Sequence, residues 1–342
     1  MKVFYRLMGM ILIAAATAIM LSGCERSPAK GKLQIMYSGN LRGNYKPCGC
    51  HVPKGGLARW AAFVKRHGDP EASWLTVDAG NFVDRSGIGG CSNKCQFIIG
   101  SYGDLRYDVL NLGKQEVWMG YETLQTILDS ARTTFVSANV LDRHSGKPLA
   151  EPYIVKDFGN LRVGVIGLLN EADFPSGSAL LDTAHLSVTP AVEAAQRYIP
   201  ALAKRVDAVV LLADLPTHIL DSLLKIVPAV DLVISSGALR TSETATMIGK
   251  TWVLGSGSSG YNGHYATLEF DPSWGDSVAF SSFQDVLTDV YDEPGIWSER
   301  IAAFESSASP ALQSKTPAAG ARSLAPDQKQ HPDIVNTKKQ QG

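Results

Sequence analysis

Two continuous apolar runs constrain the fold of this chain more than any other feature of its sequence. Residues 206–213 (VDAVVLLA) and 230–236 (VDLVISS) each contain a single aspartate, and the second run ends in two serines; all other residues of both runs are apolar. An amphipathic segment, HILDSLLKIV, separates them. A strand that is apolar on both faces is typical of a parallel sheet covered on both sides. We therefore predict an α/β fold built in layers.

The same alternation of strand and helix patterns extends through most of the chain. Strands are predicted at residues 32–38, 74–79, 107–113 and 161–169 and around Phe135, and helices at residues 55–67, 188–203 and 218–227. The segments TWVLGSG and HYATLEFD alternate in polarity and are predicted to close the domain as antiparallel strands. Functional loops of such folds follow the carboxyl ends of strands, so we inspect the loops after Ser38, Asp78, Gly113, Ala213 and Ser235.

The N-terminus has the pattern of a bacterial lipoprotein signal. Two basic residues precede an apolar run at residues 8–21, and Leu-Ser-Gly leads into Cys24. We predict a signal peptide at residues 1–23, lipidation of the Cys24 thiol and amine, and a tether at residues 24–31. An ordinary signal peptide or an uncleaved anchor is the alternative. The chain is then lipid-anchored in the cell envelope, and Glu25 favours the outer membrane over the inner one.

The composition of the C-terminal region predicts where the folded domain ends. Residues 307–342 are rich in Ser, Ala, Pro, Lys and Gln and cannot bury enough apolar surface to offset their ordering entropy. We predict a folded domain at residues 32–306 and a disordered tail at residues 307–342. The formal net charge of -1 gives no basic excess for binding nucleic acid.

The strand-end loops carry a recognisable series of motifs. In chain order these are YSGNLRG, VDAGN, LNLGKQE, SANV, VGVIGL, VVLLADL and VDLVISSG. The series resembles the catalytic domain of the UshA/5′-nucleotidase branch of calcineurin-like metallophosphoesterases, over residues 32–270. The resemblance implies a layered α/β/β/α sandwich whose loops hold two divalent metals, which bridge the water that attacks phosphorus.

The residues at the family's metal-site positions differ from the family's own. Those positions fall on Asn40, Arg42, Asn81, Lys114, Gln115, Asp214, Gly237 and Leu239. Hard divalent cations need anionic oxygen or imidazole ligands, whereas this set removes two aspartates and adds two positive charges. We therefore expect no dinuclear metal centre and no metal cofactor in the crevice.

The altered crevice has two interpretations. Arg42 and Lys114 bind an anion such as phosphate, sulfate or a carboxylate, or they are neutralised by Asp214 and Glu116. An alternative function also stays open: a metal-dependent phosphoesterase or nucleotidase that uses Asp78, Asp214 and Glu116 as substitute ligands.

Four cysteines besides Cys24 lie in the loops after the first two strands, namely Cys48, Cys50, Cys91 and Cys95. These loops leave neighbouring strands, so we predict that all four sulfurs converge beside the crevice. The alternatives are structural disulfides, a redox-active Cys48–Cys50 pair closing a very small ring, a four-thiolate metal site, and haem attachment. The last is disfavoured because CGCH is one residue short of C-x-x-C-H.

A narrower resemblance bears on the first cysteine pair. The segment GNLRGNYKPCGC, followed by GGLAR, resembles a subgroup of UshA-like lipoproteins with degenerate metal loops, some of which carry selenocysteine in this motif. This resemblance implies thiol redox chemistry at Cys48 and Cys50. We expect a non-hydrolytic envelope lipoprotein that acts by thiol redox with an envelope partner or by binding one, and a purely structural component is the remaining alternative.

Overall fold

The computed structural model describes residues 29–84, 90–175, 178, 181–237, 245–275, 277–292 and 295–313. The predicted signal peptide, Cys24, Leu239 and residues 314–342 of the predicted tail lie outside these ranges. None of the helices within these ranges has the length and apolar character needed to span a membrane.

Strands and helices alternate along most of the chain. The strands are β1 (Gly31–Ser38), β2 (Ser73–Asp78), β3 (Val109–Asn111), β4 (Thr134–Val136), β5 (Val140–Asp142), β6 (Tyr153–Asp157), β7 (Arg162–Leu169), β8 (Leu186–Val188), β9 (Ala208–Asp214), β10 (Leu232–Ser235), β11 (Thr246–Ile248), β12 (Thr251–Gly255), β13 (Asn262–Phe270) and β14 (Val278–Val286). The helices are α1 (Leu57–His67), α2 (Asn93–Asp104), α3 (Lys114–Val117), α4 (Tyr121–Ser130), α5 (Ala191–Ala203), α6 (Thr217–Ile226) and α7 (Ile296–Gln313). Single 3-10 turns lie at Glu171–Asp173, Pro272–Trp274 and Asp289–Tyr291.

Twelve of the strands form two six-stranded sheets, ordered β14-β13-β1-β2-β3-β4 and β11-β12-β10-β9-β7-β6, and β5 and β8 pair in a small antiparallel sheet. In the first sheet β1 to β4 are parallel, and β13 and β14 are antiparallel to their neighbours. In the second, β7, β9, β10 and β12 are parallel, and β6 and β11 are antiparallel. The prediction that TWVLGSG closes the domain as an antiparallel strand is thus wrong for its pairing with β10, whereas HYATLEFD is antiparallel as expected.

Three apolar layers hold these elements together. The layer between the sheets contains side chains of both, for example Ile35 and Val77 from the first and Val165 and Val210 from the second, all fully buried. A second cluster lies between the first sheet and helices α1, α2 and α4, and a third lies between the second sheet and helices α5 and α6. The predicted α/β/β/α sandwich is therefore confirmed.

The final helix differs from the predicted boundary. Helix α7 extends to Gln313, beyond the residue 306 at which the sequence placed the end of the folded domain. Its inner face is anchored by Phe304, whose ring stacks on Phe97 of α2 with centroids 4.3 Å apart, and by Arg300, which pairs with Asp104. The chain after Glu305 therefore begins as helix.

Candidate functional site

The carboxyl ends of β1, β2, β3 and β9 bring the predicted crevice residues together. Asn40 and Asn81 each begin a loop with a left-handed backbone, at φ 53° and 63°. Asparagine is the non-glycine residue that, with aspartate, best tolerates this region. Asparagine therefore fits the backbone turn of both loops without adding a negative charge.

The two asparagine side chains are hydrogen-bonded to each other and to the surrounding backbone. The Asn40 Nδ2 group donates to the carbonyl oxygens of Ser236, at 2.5 Å, and Gly257, at 3.0 Å. Asn81 Nδ2 donates to Asn40 Oδ1 at 3.3 Å, and the Gln115 backbone N–H donates to Asn81 Oδ1 at 3.1 Å. These amides join loops from both sheets, and each amide oxygen already has a donor.

Glu116 is an anchor for the neighbouring backbone. Its Oε1 accepts the N–H groups of Phe82 and Val83, at 2.9 and 3.1 Å, and its Oε2 accepts those of Asn81 and Gly113, at 2.8 and 2.9 Å. The side chain is fully buried. Burial raises the pKa of Glu116 to about 8, although the N–H donors oppose that shift. Both oxygens are therefore occupied by the loops they hold.

The charged side chains do not pair as the sequence suggested. The Lys114 ammonium lies 3.1 Å from Asp173 Oδ2, and only its backbone N–H reaches Asp214, at 3.0 Å from Oδ2. Arg42 is exposed and makes no ion pair within the part of the chain that the structure describes. The predicted neutralisation of Arg42 and Lys114 by Asp214 and Glu116 is therefore wrong, because Glu116 binds backbone and Asp173 neutralises Lys114.

Two buried oxygens of the crevice lack a hydrogen-bond partner among the described residues. They are Gln115 Oε1 and Asp214 Oδ1. Unpartnered buried acceptors are unusual in folded proteins and are satisfied by water, a donor group or a cation. The crevice thus presents acceptors at its base, which is the opposite of what an anion requires.

Asp78 has a structural role in the same region. Its Oδ1 accepts the Gly80 N–H at 2.7 Å, and its Oδ2 accepts the hydroxyls of Ser38, at 2.5 Å, and Tyr102, at 3.0 Å. Burial raises the pKa of this carboxyl to about 6. Asp78 therefore shapes the turn after β2 and has no open coordination position.

Gly237 stands where the family places a histidine, and no side chain fits there. A Cβ built on Gly237 would lie 2.5 Å from the Leu215 nitrogen, closer than real Cβ contacts. The second histidine position, Leu239, lies outside the described residues.

The family implies a pair of divalent metals, and the donors of this crevice do not fit it. Such ions need several anionic oxygens or imidazoles converging on open positions. Within the described ranges no group of three or more His, Cys, Asp and Glu side chains is arranged to hold a metal. Asn40, Asn81 and Glu116 have their oxygens in internal hydrogen bonds.

The four cysteines form two disulfides, Cys48–Cys50 in the loop after β1 and Cys91–Cys95 between the loop after β2 and the first turn of α2. No disulfide therefore joins the two loops, because each cysteine bonds its near neighbour in sequence. The loops themselves are adjacent as predicted: the rings of Tyr45 and Phe97 meet edge to face with centroids 5.4 Å apart. Disulfide-bonded sulfurs offer no thiolate to a metal.

The Cys48–Cys50 disulfide lies at the surface. Cys50 is exposed and Cys48 is half-buried. The Lys54 N–H donates to Cys48 Sγ at 3.4 Å, and the Cys48 N–H donates to the Lys54 carbonyl at 2.9 Å. A Cβ built on Gly49 would have no atom within 4 Å, so the space around this turn is open. The turn that carries Cys50 is therefore open to solvent.

Helix α7 contacts the loop that carries this disulfide. Glu305 of α7 pairs with the Lys46 ammonium and accepts the Tyr45 hydroxyl at 3.2 Å. No local pattern in the sequence indicates these contacts, because Glu305 lies 260 residues from Tyr45. The contact between Lys114 and Asp173 was missed for a different reason: Asp173 follows β7, whose strand-end loop was not among those inspected.

Known proteins match this chain in sequence and in fold. No protein-family model matches it. The 2′,3′-cyclic-nucleotide 2′-phosphodiesterase/3′-nucleotidase of Salmonella typhimurium is 27% identical over 231 residues, which cover 60% of this chain. The chain spans about a third of that relative's length, 35%.

Solved structures share the fold. The 5′-nucleotidase precursor from Thermus thermophilus superposes with a TM-score of 0.67 at 21% identity, covering 82% of this chain and 59% of the other. The calcineurin-like phosphoesterase YfkN from Bacillus subtilis superposes with a TM-score of 0.65 at 19% identity, covering 83% and 99%. The chain therefore shares the fold of these 5′-nucleotidase and calcineurin-like phosphoesterase structures.

Proposed function

We propose that this chain is a non-hydrolytic UshA-like protein that acts by thiol–disulfide exchange at Cys48–Cys50. The observation that carries the proposal is the contrast between a disulfide at the surface and a crevice in which the Asn40 and Asn81 amides are held by internal hydrogen bonds. A reactive site needs atoms that a substrate can reach, and here those atoms are sulfur.

The donor set of the crevice argues against hydrolysis. Freeing Asn40 Oδ1 and Asn81 Oδ1 for a metal would break hydrogen bonds that join the segments after β1, β2 and β3, each contributing about 1 kcal/mol net. Neither amide carries the negative charge that a divalent ion needs from its ligands.

We propose different roles for the two sulfurs of this disulfide. A partner thiolate attacks the exposed Cys50 Sγ, and a mixed disulfide forms as the Cys48–Cys50 bond breaks. The electron pair leaves on Cys48 Sγ, where the Lys54 N–H is in place to donate to the new thiolate. Hydrogen-bond donors of this kind lower thiol pKa values and make better leaving groups.

A second thiol of the partner completes the exchange. It attacks the partner's own sulfur in the mixed disulfide, so that the partner disulfide forms and Cys50 leaves as a thiolate. The two protons lost by the partner's thiols balance those taken up by Cys48 and Cys50. The partner dithiol is oxidised, the Cys48–Cys50 disulfide is reduced, and no further co-reactant is needed.

The proposed setting is the cell envelope, with a lipid anchor on Cys24 and an envelope dithiol protein as partner. Disulfides persist in such oxidising compartments. Metabolic labelling with a palmitate analogue tests the anchor. Label is expected on the wild-type protein and not on Cys24→Ser, and equal labelling of both would contradict the anchor.

Stepwise reduction tests the exchange itself. The purified protein is titrated with dithiothreitol, quenched with a maleimide and mapped by peptide mass spectrometry. Cys48 and Cys50 are expected to be labelled first, while circular dichroism keeps its native signal. The Cys91→Ser/Cys95→Ser variant is the matched control and should leave that labelling unchanged. Resistance of all four sulfurs until unfolding would contradict the proposal.

The second candidate is a metal-dependent phosphoesterase with substitute ligands. Two observations favour it: the named activity of the Salmonella relative, and the unpartnered Asp214 Oδ1 and Gln115 Oε1 in the crevice. An assay with 2′,3′-cyclic nucleotides in Mn²⁺ or Zn²⁺ tests it, with Asp214→Asn as the control. Metal-dependent turnover that this variant abolishes would establish hydrolysis and overturn the non-hydrolytic assignment.

A further inference from the structure

We infer that the cavity beside the second disulfide, Cys91–Cys95, is a binding site for a low-molecular-weight thiol that carries a carboxylate. This inference goes beyond the proposed exchange at Cys48–Cys50 and does not depend on it. It rests on a cavity, on the unequal exposure of two sulfurs and on an excess of positive charge.

The cavity lies between helices α2 and α4. Its volume is about 500 Å³, within the range of roughly 300–1,000 Å³ that is usual for small-molecule sites. Apolar side chains, Ile99 and Ile127, form part of its wall, and polar ones, Gln96, Thr123 and Thr126, offer hydrogen bonds. This mixture suits a small polar organic molecule better than a purely apolar one.

Only one sulfur of the disulfide belongs to a residue that lines this cavity. Cys91 is half-buried and part of the lining, whereas Cys95 is 2% exposed, with its Sγ 3.6 Å from Met119 Sδ. A thiol bound in the cavity therefore meets Cys91. The Cys95 side chain lies in the first turn of α2, where the helix dipole favours a negative charge.

The electrostatics of the cavity edge select an anion. Arg132 lines the cavity and pairs with Asp104, and Asp104 also pairs with Arg300. One carboxylate between two guanidinium groups leaves a positive charge in excess, and none of the described residues that line the cavity is acidic. A guanidinium is the side chain best suited to bind a carboxylate.

The chemical step is one thiol–disulfide exchange. The thiolate of the bound molecule attacks Cys91 Sγ, forming a mixed disulfide as the Cys91–Cys95 bond breaks. The electron pair leaves on Cys95 Sγ, which takes up the proton that the incoming thiol lost. The small thiol is thereby oxidised to its half of the mixed disulfide, and Cys95 is reduced.

A matched pair of thiols tests the site. The full chain is incubated with 3-mercaptopropionate or with 2-mercaptoethanol, quenched by acid, and the adduct on the Cys91 peptide is quantified over time. Each rate is divided by the rate at which the same thiol reacts with a peptide of residues 90–96 that carries the Cys91–Cys95 disulfide. This ratio corrects for the intrinsic reactivity of each thiol. The carboxylate thiol is expected to react about tenfold faster, as one charge-assisted contact provides.

Two variants locate the effect. Arg132→Gln should remove the preference for the carboxylate thiol. Gly100→Leu should slow both thiols, because Gly100 lines the cavity and a Cβ there has no atom within 4 Å, so the new side chain fills space without strain. Gly295→Leu, at another open glycine, is the control and should react like wild type.

The outcomes are distinct from those of the first proposal. Equal corrected rates for the two thiols, or a Cys91 adduct that Gly100→Leu does not slow, would overturn the inferred site. The Cys48–Cys50 peptide is read in the same digest, so its failure to react would count against the proposed function and leave this inference standing.

Discussion

The crevice and the Cys48–Cys50 loop both follow β1, yet their polar atoms are used in opposite ways. In the crevice, Asn40, Asn81 and Glu116 are buried and hydrogen-bonded to their surroundings. In the loop, Cys50 is exposed and the space around Gly49 is open. The comparison teaches that residues at a family's active-site positions can serve stability, while new chemistry requires accessible atoms nearby.

Among the changes that test this comparison, removal of the Glu116 side-chain carboxyl group is expected to lower the free energy of unfolding most. Glu116→Ala leaves four buried backbone N–H groups without their acceptor, and each such group costs about 1–3 kcal/mol. We expect the free energy of unfolding to fall by about 3–5 kcal/mol in urea titrations, since water will satisfy some donors. Glu71→Ala, at an exposed turn, is the control, and equal effects of both variants would remove the structural role of Glu116.

Restoring a family ligand tests whether the asparagines are structural. Asn40→Asp places a carboxylate against the carbonyl oxygens of Ser236 and Gly257, which now accept from Nδ2. A loss of about 2–4 kcal/mol in unfolding free energy is expected, without any gain of metal binding. Asn160→Asp, at an exposed position, should change stability little. A stabilised, metal-binding Asn40→Asp variant would show that the crevice is still a metal site.

The pH dependence of stability also tests the structural role of the buried crevice residues. Burial raises the pKa of Glu116 from 4.5 to about 8 and that of Asp78 from 3.8 to about 6. A raised folded pKa means that the folded state binds the proton more tightly, so stability is greatest below the unfolded pKa and declines as pH rises through the folded one. Urea titrations should therefore show a decline from about pH 4.5 to 8, on the order of 1 kcal/mol per pH unit. Glu116→Gln should remove the decline in stability above pH 6. An unchanged slope in this variant would contradict the raised pKa of Glu116.

The disulfides should contribute least to stability. Their sequence separations are 2 residues for Cys48–Cys50 and 4 for Cys91–Cys95, and short loops gain little from a cross-link. We expect Cys48→Ser/Cys50→Ser to cost about 1 kcal/mol and Cys91→Ser/Cys95→Ser about 2 kcal/mol in unfolding free energy. A larger loss for the first pair would indicate a structural disulfide and weaken the contrast between loop and crevice.

The sequence predicted the framework of the fold because its strands are continuous apolar runs. β9 and β10 lie where VDAVVLLA and VDLVISS placed them. β14 was missed because small polar serines interrupt its alternating pattern, and α7 because its composition resembles that of the tail that follows.

The contacts of the crevice were harder to predict than its residues. The motif order identified Asn40, Asn81 and Lys114, but the partners of these side chains are distant in sequence: Ser236 lies 196 residues from Asn40, and Asp173 lies 59 residues from Lys114. Charge counting alone therefore paired Lys114 with the wrong carboxylate. The cysteine pairing was open to prediction from short loop length, but the shared edge of neighbouring strands favoured convergence instead.

Manganese stoichiometry tests the central claim most directly. The full chain is equilibrated with Mn²⁺ by dialysis, and bound metal is counted by elemental analysis, with an enzyme of known dinuclear manganese content as the positive control. The hydrogen-bonded crevice predicts no pair of ions per chain, at Mn²⁺ concentrations that load the control. Two bound ions per chain, lost on Asp214→Asn, would contradict it.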